Sequence, residues 1–225
     1  MSTGNSADAT AGAPPAIDDF HDDIAEALAG PGFWVGEHAF DEAEVQRLRA
    51  ELDRLVEADA LRRAGIGRER DFQLDRSIRA DRIHWLGAGH PEHLRFLAFA
   101  ERLRLALNRR LFLGLFEFEA HFALYPPGGY YRQHTDAFRG QANRLVSLVA
   151  FLNPDWHEGD GGELVLYEAD GEQALRRVPP RGGTLAVFLS EEVPHEVLPT
   201  RRDRASIAGW FRCNTSTMDQ VDPPR

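Results

Sequence analysis

From Gly114 to Cys213 the chain keeps to short apolar alternations broken by turn signals at Pro126-Pro127-Gly128-Gly129, Asp160-Gly161-Gly162 and Arg181-Gly182-Gly183. Alternation with a period of two buries one face of a strand, and Gly and Pro at these intervals reverse the chain. Several short strands so spaced predict a mainly β fold, a sandwich or barrel of the jelly-roll type. The preceding stretch, Ile17 to Phe112, has a helical period instead. Asp41 and Glu44 form a capping pair ahead of a stripe of Val45, Leu48, Leu52 and Leu55. A second helix is predicted to start near Pro91, with Phe96, Ala100, Leu103, Leu107 and Leu111 along one face. Between them, Arg62 to Trp85 reads as a long loop or loose hairpin with Gly65 and Gly67. Residues 1–16, rich in Ser, Thr, Ala, Gly and Pro, read as a disordered tail, and residues 214–225 as a C-terminal tail. The expected layout is one domain over 17–213, with helical support over 17–112 and the jelly-roll core over 113–213.

Charge and composition exclude several classes. The formal net charge of −10 argues against nucleic-acid binding, which needs a basic face to neutralise phosphates. Seven Arg against four acids between Arg62 and Arg82 are a local exception. There is no lysine, so a lysine Schiff base is excluded and a bound carboxylate must be met by Arg or by neutral donors. The single cysteine, Cys213, cannot form an internal disulfide, which agrees with a reducing cytoplasm. Met1 to Ala16 lacks the basic start and apolar stretch of a secretory signal, and no apolar run is long enough to span a bilayer. A Gly-x-Ser-x-Gly elbow, a phosphate loop, a His-Glu-x-x-His helix and paired cysteines for zinc are all missing.

His134-Thr135-Asp136 falls in a predicted strand, where side chains two apart share a face. His195 follows in Val193-Pro194-His195-Glu196-Val197. Two imidazoles and a carboxylate on one face of an octahedral ion leave the opposite face open, the arrangement of non-haem Fe(II) oxygenases. A His-x-Asp triplet alone is weak evidence, since most copies are surface or hydrogen-bonding residues. Arg204 begins the alternation Arg204, Ser206, Ala208, Trp210. An Arg turned into an apolar barrel is costly unless an anion meets it. A structural ion pair with Asp or Glu is one solution. The other is an organic diacid with one end on the metal and its far carboxylate on the Arg fork.

The order Tyr125-Pro126, His134-Thr135-Asp136, Arg144-Leu145-Val146-Ser147, Phe151-Leu152-Asn153, Asp160-Gly161-Gly162-Glu163-Leu164, Pro194-His195-Glu196-Val197, Arg204 and Trp210 resembles the 2-oxoglutarate- and Fe(II)-dependent prolyl 4-hydroxylases. Within them it looks most like bacterial relatives of the hypoxia-inducible-factor prolyl hydroxylases. The resemblance implies a double-stranded β-helix, cupin-like. It implies His134, Asp136 and His195 as iron ligands and Arg204 as the partner of the distal 2-oxoglutarate carboxylate. Tyr125 and Tyr131 would line the pocket, and Arg144, Trp210 and Arg79 would meet the substrate, with 62–85 as a finger loop. Relatives often carry Tyr where this chain has Phe151; Ser206 is the candidate for the missing contact, with Tyr125 next.

The implied reaction hydroxylates a prolyl residue of a protein at the 4-position, with 2-oxoglutarate going to succinate and carbon dioxide and O2 consumed. Ascorbate is an accessory expectation, and oxygen sensing and elongation factor Tu as substrate are further ones drawn from that branch. A hydroxylase of free amino acids or other small molecules and a non-catalytic jelly-roll binding module stand as alternatives. His121 reads as a hydrogen-bonded strand residue near the core and His157 as solvated. Phe118, Phe122 and Phe188 read as barrel packing.

Overall fold

A computed structural model of the chain describes residues 20–64, 78–137 and 143–214. Both predicted tails, apart from Asn214, and the tip of the expected finger loop at 65–77 lie outside the described residues. The helices are α1 (Phe20–Ala29), α2 (Glu42–Glu57) and α3 (Pro91–Leu111). The strands are β1 (Phe33–Gly36), β2 (Arg62–Arg63), β3 (Arg82–Trp85), β4 (Leu115–Tyr125), β5 (Tyr131–His134), β6 (Arg144–Phe151), β7 (Leu164–Tyr167), β8 (Ala174–Val178), β9 (Leu185–Leu189), β10 (His195–Val197) and β11 (Arg204–Cys213).

The capping pair works as the sequence predicts. Asp41 is the N-cap of α2 and its carboxylate accepts the Glu44 N–H at 2.7 Å. This satisfies one of the orphan donors of the first turn. Val45, Leu48, Leu52 and Leu55 are buried along that helix. Pro91 opens α3, where its missing N–H costs no helical bond, and Phe96, Ala100, Leu103 and Leu107 are buried.

Two antiparallel sheets form the jelly roll. The larger runs β1-β9-β6-β11-β4-β3-β2 and the smaller β5-β10-β7-β8. One face of the larger sheet, with Val146, Leu148, Val187, Ile207, Phe122 and Phe211, packs on Ile24, Leu52, Phe96 and Leu103 of the helices. Here Phe118 and Phe122 turn toward the helices, while Phe188 fills the space between the sheets with Phe151, Leu164, Leu166 and Val193. Truncating a fully buried aromatic such as Phe211 typically costs about 3–5 kcal/mol.

The expected division at 112/113 is crossed by the sheet, because β1, β2 and β3 come from the first half. β1 pairs with β9, and β3 pairs with β4 through Arg82↔Leu124 and Trp85↔His121. The ends of the 62–85 segment form the hairpin alternative, with Arg62 opposite Ile83. Asn153 continues the pairing where β6 ends. Its side-chain amide donates to the Pro180 and Ala205 carbonyls, and its oxygen accepts the Ala205 N–H at 2.8 Å. This fixes the start of β11, which carries Arg204.

Candidate functional site

The inward face of the larger sheet is the floor of the site. Register places Arg204 opposite Tyr125, Ala208 opposite His121 and Trp210 opposite Glu119 on β4. On the other flank of β11, Ser206 faces Phe151, Ala208 faces Val149 and Trp210 faces Ser147. The smaller sheet is the roof, where His134 on β5 and His195 on β10 are directly paired.

His134, Asp136 and His195 offer ligand atoms that all lie within 4.8 Å of one another. The His134 Nε2 stands 3.6 Å from Asp136 Oδ1, and the His195 Nε2 stands 3.5 Å from Asp136 Oδ2. Each imidazole directs Nδ1 at a backbone carbonyl, Arg132 at 2.7 Å and Val193 at 3.1 Å. Those contacts put the proton on Nδ1 and leave the Nε2 lone pair aimed at the shared centre. The strand expectation for the triplet needs one correction. β5 ends at His134, and Asp136 lies in the bend beyond it. Its convergence therefore comes from a turn, held by the Asp136 N–H on the Ser190 carbonyl at 3.2 Å, and not from strand alternation.

Two serines to which the sequence assigns no role support the carboxylate. The Ser147 hydroxyl donates to Asp136 Oδ2 at 2.7 Å and lies 2.8 Å from the Ser190 hydroxyl. The alternation of β6 puts Ser147 inward, which was the available signal. Burial opposes charge on Asp136, yet the His195 and His134 imidazoles and Arg144 hold its carboxyl far below the usual range. Burial lowers His195 to about 4 despite Asp136, so the ring is neutral at pH 7. The Tyr131 ring stacks on His134 at 3.6 Å, and burial raises its hydroxyl to about 12. Two imidazole nitrogens and one ionised carboxylate are a donor set suited to Fe(II).

Arg204 is 1% exposed. Its guanidinium lies between the rings of Tyr125 and Phe151, 5.0 and 5.1 Å from their centroids. Nε donates to the Gly162 carbonyl at 2.7 Å and Nη1 to the Ser206 hydroxyl at 3.3 Å, while Nη2 is buried with no hydrogen-bond partner. Gly162 has φ +70°, and a Cβ there would come within 3.1 Å of Arg204 Cδ and Thr200 Cβ. The second glycine of the Asp160-Gly161-Gly162 turn therefore lets the backbone approach the Arg. An orphan guanidinium N–H in this pocket calls for an anion. Burial also raises the Tyr125 hydroxyl well above its ordinary value.

Of the remaining predicted residues, Arg144 and Trp210 sit at the other end of the floor, and Arg79 sits beside Tyr131 of the smaller sheet. Arg144 lies over the Trp210 ring at 3.7 Å and is held by Glu119. Arg79 lies over the Tyr131 ring at 4.5 Å and forms a two-pronged pair with the buried Asp81, at 2.8 and 2.6 Å. Pairing of 78–80 with 130–132 brings this end of the 62–85 segment beside the triad.

The profile of the 2OG-Fe(II) oxygenase superfamily matches residues 120–212. Among solved structures, a prolyl-4-hydroxylase of Pseudomonas putida is 43% identical, with a TM-score of 0.77 over 86% of this chain and 98% of that one. A Trichoplax adhaerens prolyl hydroxylase, solved with a hypoxia-inducible-factor degradation-domain peptide, is 25% identical with a TM-score of 0.75, over 87% of this chain and 90% of that one. A hypoxia-inducible factor prolyl hydroxylase of Caenorhabditis elegans is 33% identical over 95 residues, 41% of this chain. The matched segment spans only 13% of that protein and 16% of another curated relative. With 43% identity over nearly the whole Pseudomonas chain and the same fold, this chain belongs to the Fe(II)- and 2-oxoglutarate-dependent oxygenases, in the prolyl 4-hydroxylase family.

Proposed function

We propose that the chain is a dioxygenase that hydroxylates a prolyl residue of a polypeptide at the 4-position, coupled to conversion of 2-oxoglutarate to succinate. The observation that carries this reading is the buried, unpartnered Nη2 of Arg204 on the floor that faces the His134, Asp136 and His195 cluster. The likeness to the Pseudomonas prolyl-4-hydroxylase supports the prolyl target.

His134 and His195 would bind Fe(II) through Nε2 and Asp136 through a carboxylate oxygen, with Ser147 fixing the carboxylate. Once bound, Fe(II) with 2-oxoglutarate and O2 supplies the oxidation that yields succinate and carbon dioxide and puts one oxygen atom on the target carbon. The protein's part is position and exclusion of water. Arg204 takes the far carboxylate of 2-oxoglutarate in a charge-assisted fork. The Ser206 hydroxyl, already on Nη1, serves as the second contact in place of a tyrosine hydroxyl at 151. Tyr125 and Phe151 exclude water from that fork, and Tyr131 shields His134. Arg79, beside Tyr131, and Arg144, over Trp210, would meet the substrate. Ascorbate would act by keeping iron reduced.

The peptide-bound Trichoplax relative supports a protein substrate. Elongation factor Tu is the first protein to try, and cytoplasmic oxygen sensing is a role this reading allows. Among the described residues no helix is long and apolar enough to cross a membrane. The test is incubation with Fe(II), 2-oxoglutarate and either proline-containing peptides or free proline, followed by mass spectrometry. The expected result is the mass gain of one oxygen atom on a peptide proline. Gain on free proline alone refutes the polypeptide reading, and no succinate with any substrate refutes the enzyme.

A further inference from the structure

On the helix-covered face of the larger sheet, across the sheet from the triad, stands a second cluster of metal-type donors. Glu51 of α2, His90 at the N-cap of α3 and His93 in its first turn offer ligand atoms that all lie within 4.8 Å of one another. His93 packs on the Phe122 ring at 5.5 Å. Glu51 and His93 are buried and His90 is exposed, so the cluster opens to solvent on one side.

The spacing is that of two ligands on one ion. His93 Nε2 stands 3.5 Å from Glu51 Oε1 and is buried with no hydrogen-bond partner. That gap exceeds a normal N–H···O bond. Two donors each about 2.1 Å from a tetrahedral ion stand about 3.4 Å apart. The triad has the same separations, 3.6 and 3.5 Å. The largely exposed Arg54 forks onto Glu51 at 2.9 and 2.7 Å, which keeps the carboxyl ionised and leaves a lone pair on each oxygen. The positive end of α3 opposes a cation here, and the Glu51 carboxylate offsets it.

The imidazoles can present their nitrogens. His90 makes no side-chain cap bond and stacks on His93 at 4.6 Å, so its exposed ring is free to turn. His84 on β3 stands beside both rings, 6.0 and 6.2 Å from their centroids. Its Nδ1 faces the Ala60 carbonyl at 3.2 Å, which puts the proton there and leaves the Nε2 lone pair open, as in His134 and His195. In His93 the Gly87 N–H meets Nδ1 at 3.1 Å, so the metal-free ring carries its proton on Nε2. An incoming ion takes that place, the ring proton moves to Nδ1, and the Gly87 N–H turns away. A Cβ at Gly87 or Gly89 would meet nothing within 4 Å, so this loop has room to turn.

We propose that Glu51, His90 and His93, with His84 as the fourth donor, form a second metal site for a zinc-type divalent ion that braces α2, α3 and β3. Three imidazoles and a carboxylate suit a closed tetrahedral site of this kind. The site stands whether or not the chain hydroxylates proline.

The test titrates full-length, metal-stripped protein with Zn2+ alone, by calorimetry and by metal analysis after desalting. Wild type is expected to bind two ions per chain, one at each cluster. His90→Ala, at an exposed position that tolerates truncation, should keep one and lose at least about 100-fold in affinity for the other. Asp136→Ala/His195→Ala, which disables the triad, should bind one, and adding His90→Ala should remove it. In that triad variant, Zn2+ at about 100 times Kd should raise the unfolding midpoint by roughly 5–10 °C. Co2+ in the same variant should give the intense visible bands of a four-coordinate ion, and His84→Phe should weaken them. A folded triad variant that binds no Zn2+ overturns the second site. So does binding that is undiminished by His90→Ala, which would mean an adventitious ion only. Neither result touches the triad or the hydroxylase reading.

Discussion

Replacing Arg204 by Met removes a buried charge and, on the proposed reading, a co-substrate anchor, and the two losses differ in sign. In the ligand-free protein Arg204 has hydrogen bonds to the Gly162 carbonyl and Ser206 hydroxyl, and one nitrogen buried without a partner. Burial lowers its pKa, and Tyr125, Asp81 and Glu163 only partly oppose that. Met fills a similar length between the Tyr125 and Phe151 rings without a charge. Leaving the Gly162 carbonyl unmatched costs about 1–3 kcal/mol. Exchanging buried ionic groups for apolar ones typically returns about 1–4 kcal/mol, so the ligand-free protein should lose no more than about 2 kcal/mol and could gain about 3. With 2-oxoglutarate present, loss of the buried fork costs about 3–5 kcal/mol, or about two to nearly four orders of magnitude in Kd. Thermal unfolding with and without 2-oxoglutarate reads both effects. At 100 times Kd the wild type gains about 2.7 kcal/mol, roughly 5–10 °C at this chain length. The variant at the same concentration should gain about 0.4 kcal/mol or less. A ligand-free loss of about 3–5 kcal/mol, or an undiminished ligand shift, would mean that Arg204 is a structural ion-pair partner and would refute the reasoning.

Three further outcomes follow from the same geometry. Ser147→Ala should weaken iron binding about 10- to 100-fold, because it releases Asp136 Oδ2; a chelator competition showing less than twofold change contradicts this. Burial holds His121 near 4 in the fold against 6.5 when free. Its contribution is therefore fully present above pH 6.5 and is lost as pH falls toward 4, by up to about 3 kcal/mol. Urea unfolding at pH 7 and pH 5 should show the decline, and His121→Phe should reduce it without abolishing it, because burial also lowers His195 and His93. Phe151→Tyr places a hydroxyl against the Arg204 guanidinium and should tighten 2-oxoglutarate severalfold in a binding titration; weaker binding would show that this fully buried site has no room for it.

The β rhythm of Gly114 to Cys213 was legible because inward and outward residues alternate there without long interruption. The capped α2 was legible from Asp41 and Glu44. The ligand types of the triad could be read, but the reason for their convergence could not: Asp136 is set by a bend and by Ser190, which lies 54 positions away in sequence. Ser147, Ser190 and Asn153 have no spacing signature, since a hydroxyl or amide in a strand reads the same wherever its partner lies. The Phe33–Gly36 strand is too short for its period to be recognised, and its partner β9 is remote in sequence. His121 reads as a hydrogen-bonded strand residue near the core, and it is buried on β4 with Nδ1 at the Phe122 carbonyl.

The central claim is that His134, Asp136 and His195 hold iron while Arg204 holds 2-oxoglutarate. An anaerobic titration of Fe(II)-loaded protein with 2-oxoglutarate, followed by the visible absorption that chelation produces, tests it most directly. The account predicts a band saturating at one 2-oxoglutarate per chain, lost in Asp136→Ala and His195→Ala, and displaced to far higher concentration in Arg204→Met. A band of wild-type amplitude and midpoint in folded Asp136→Ala would contradict it.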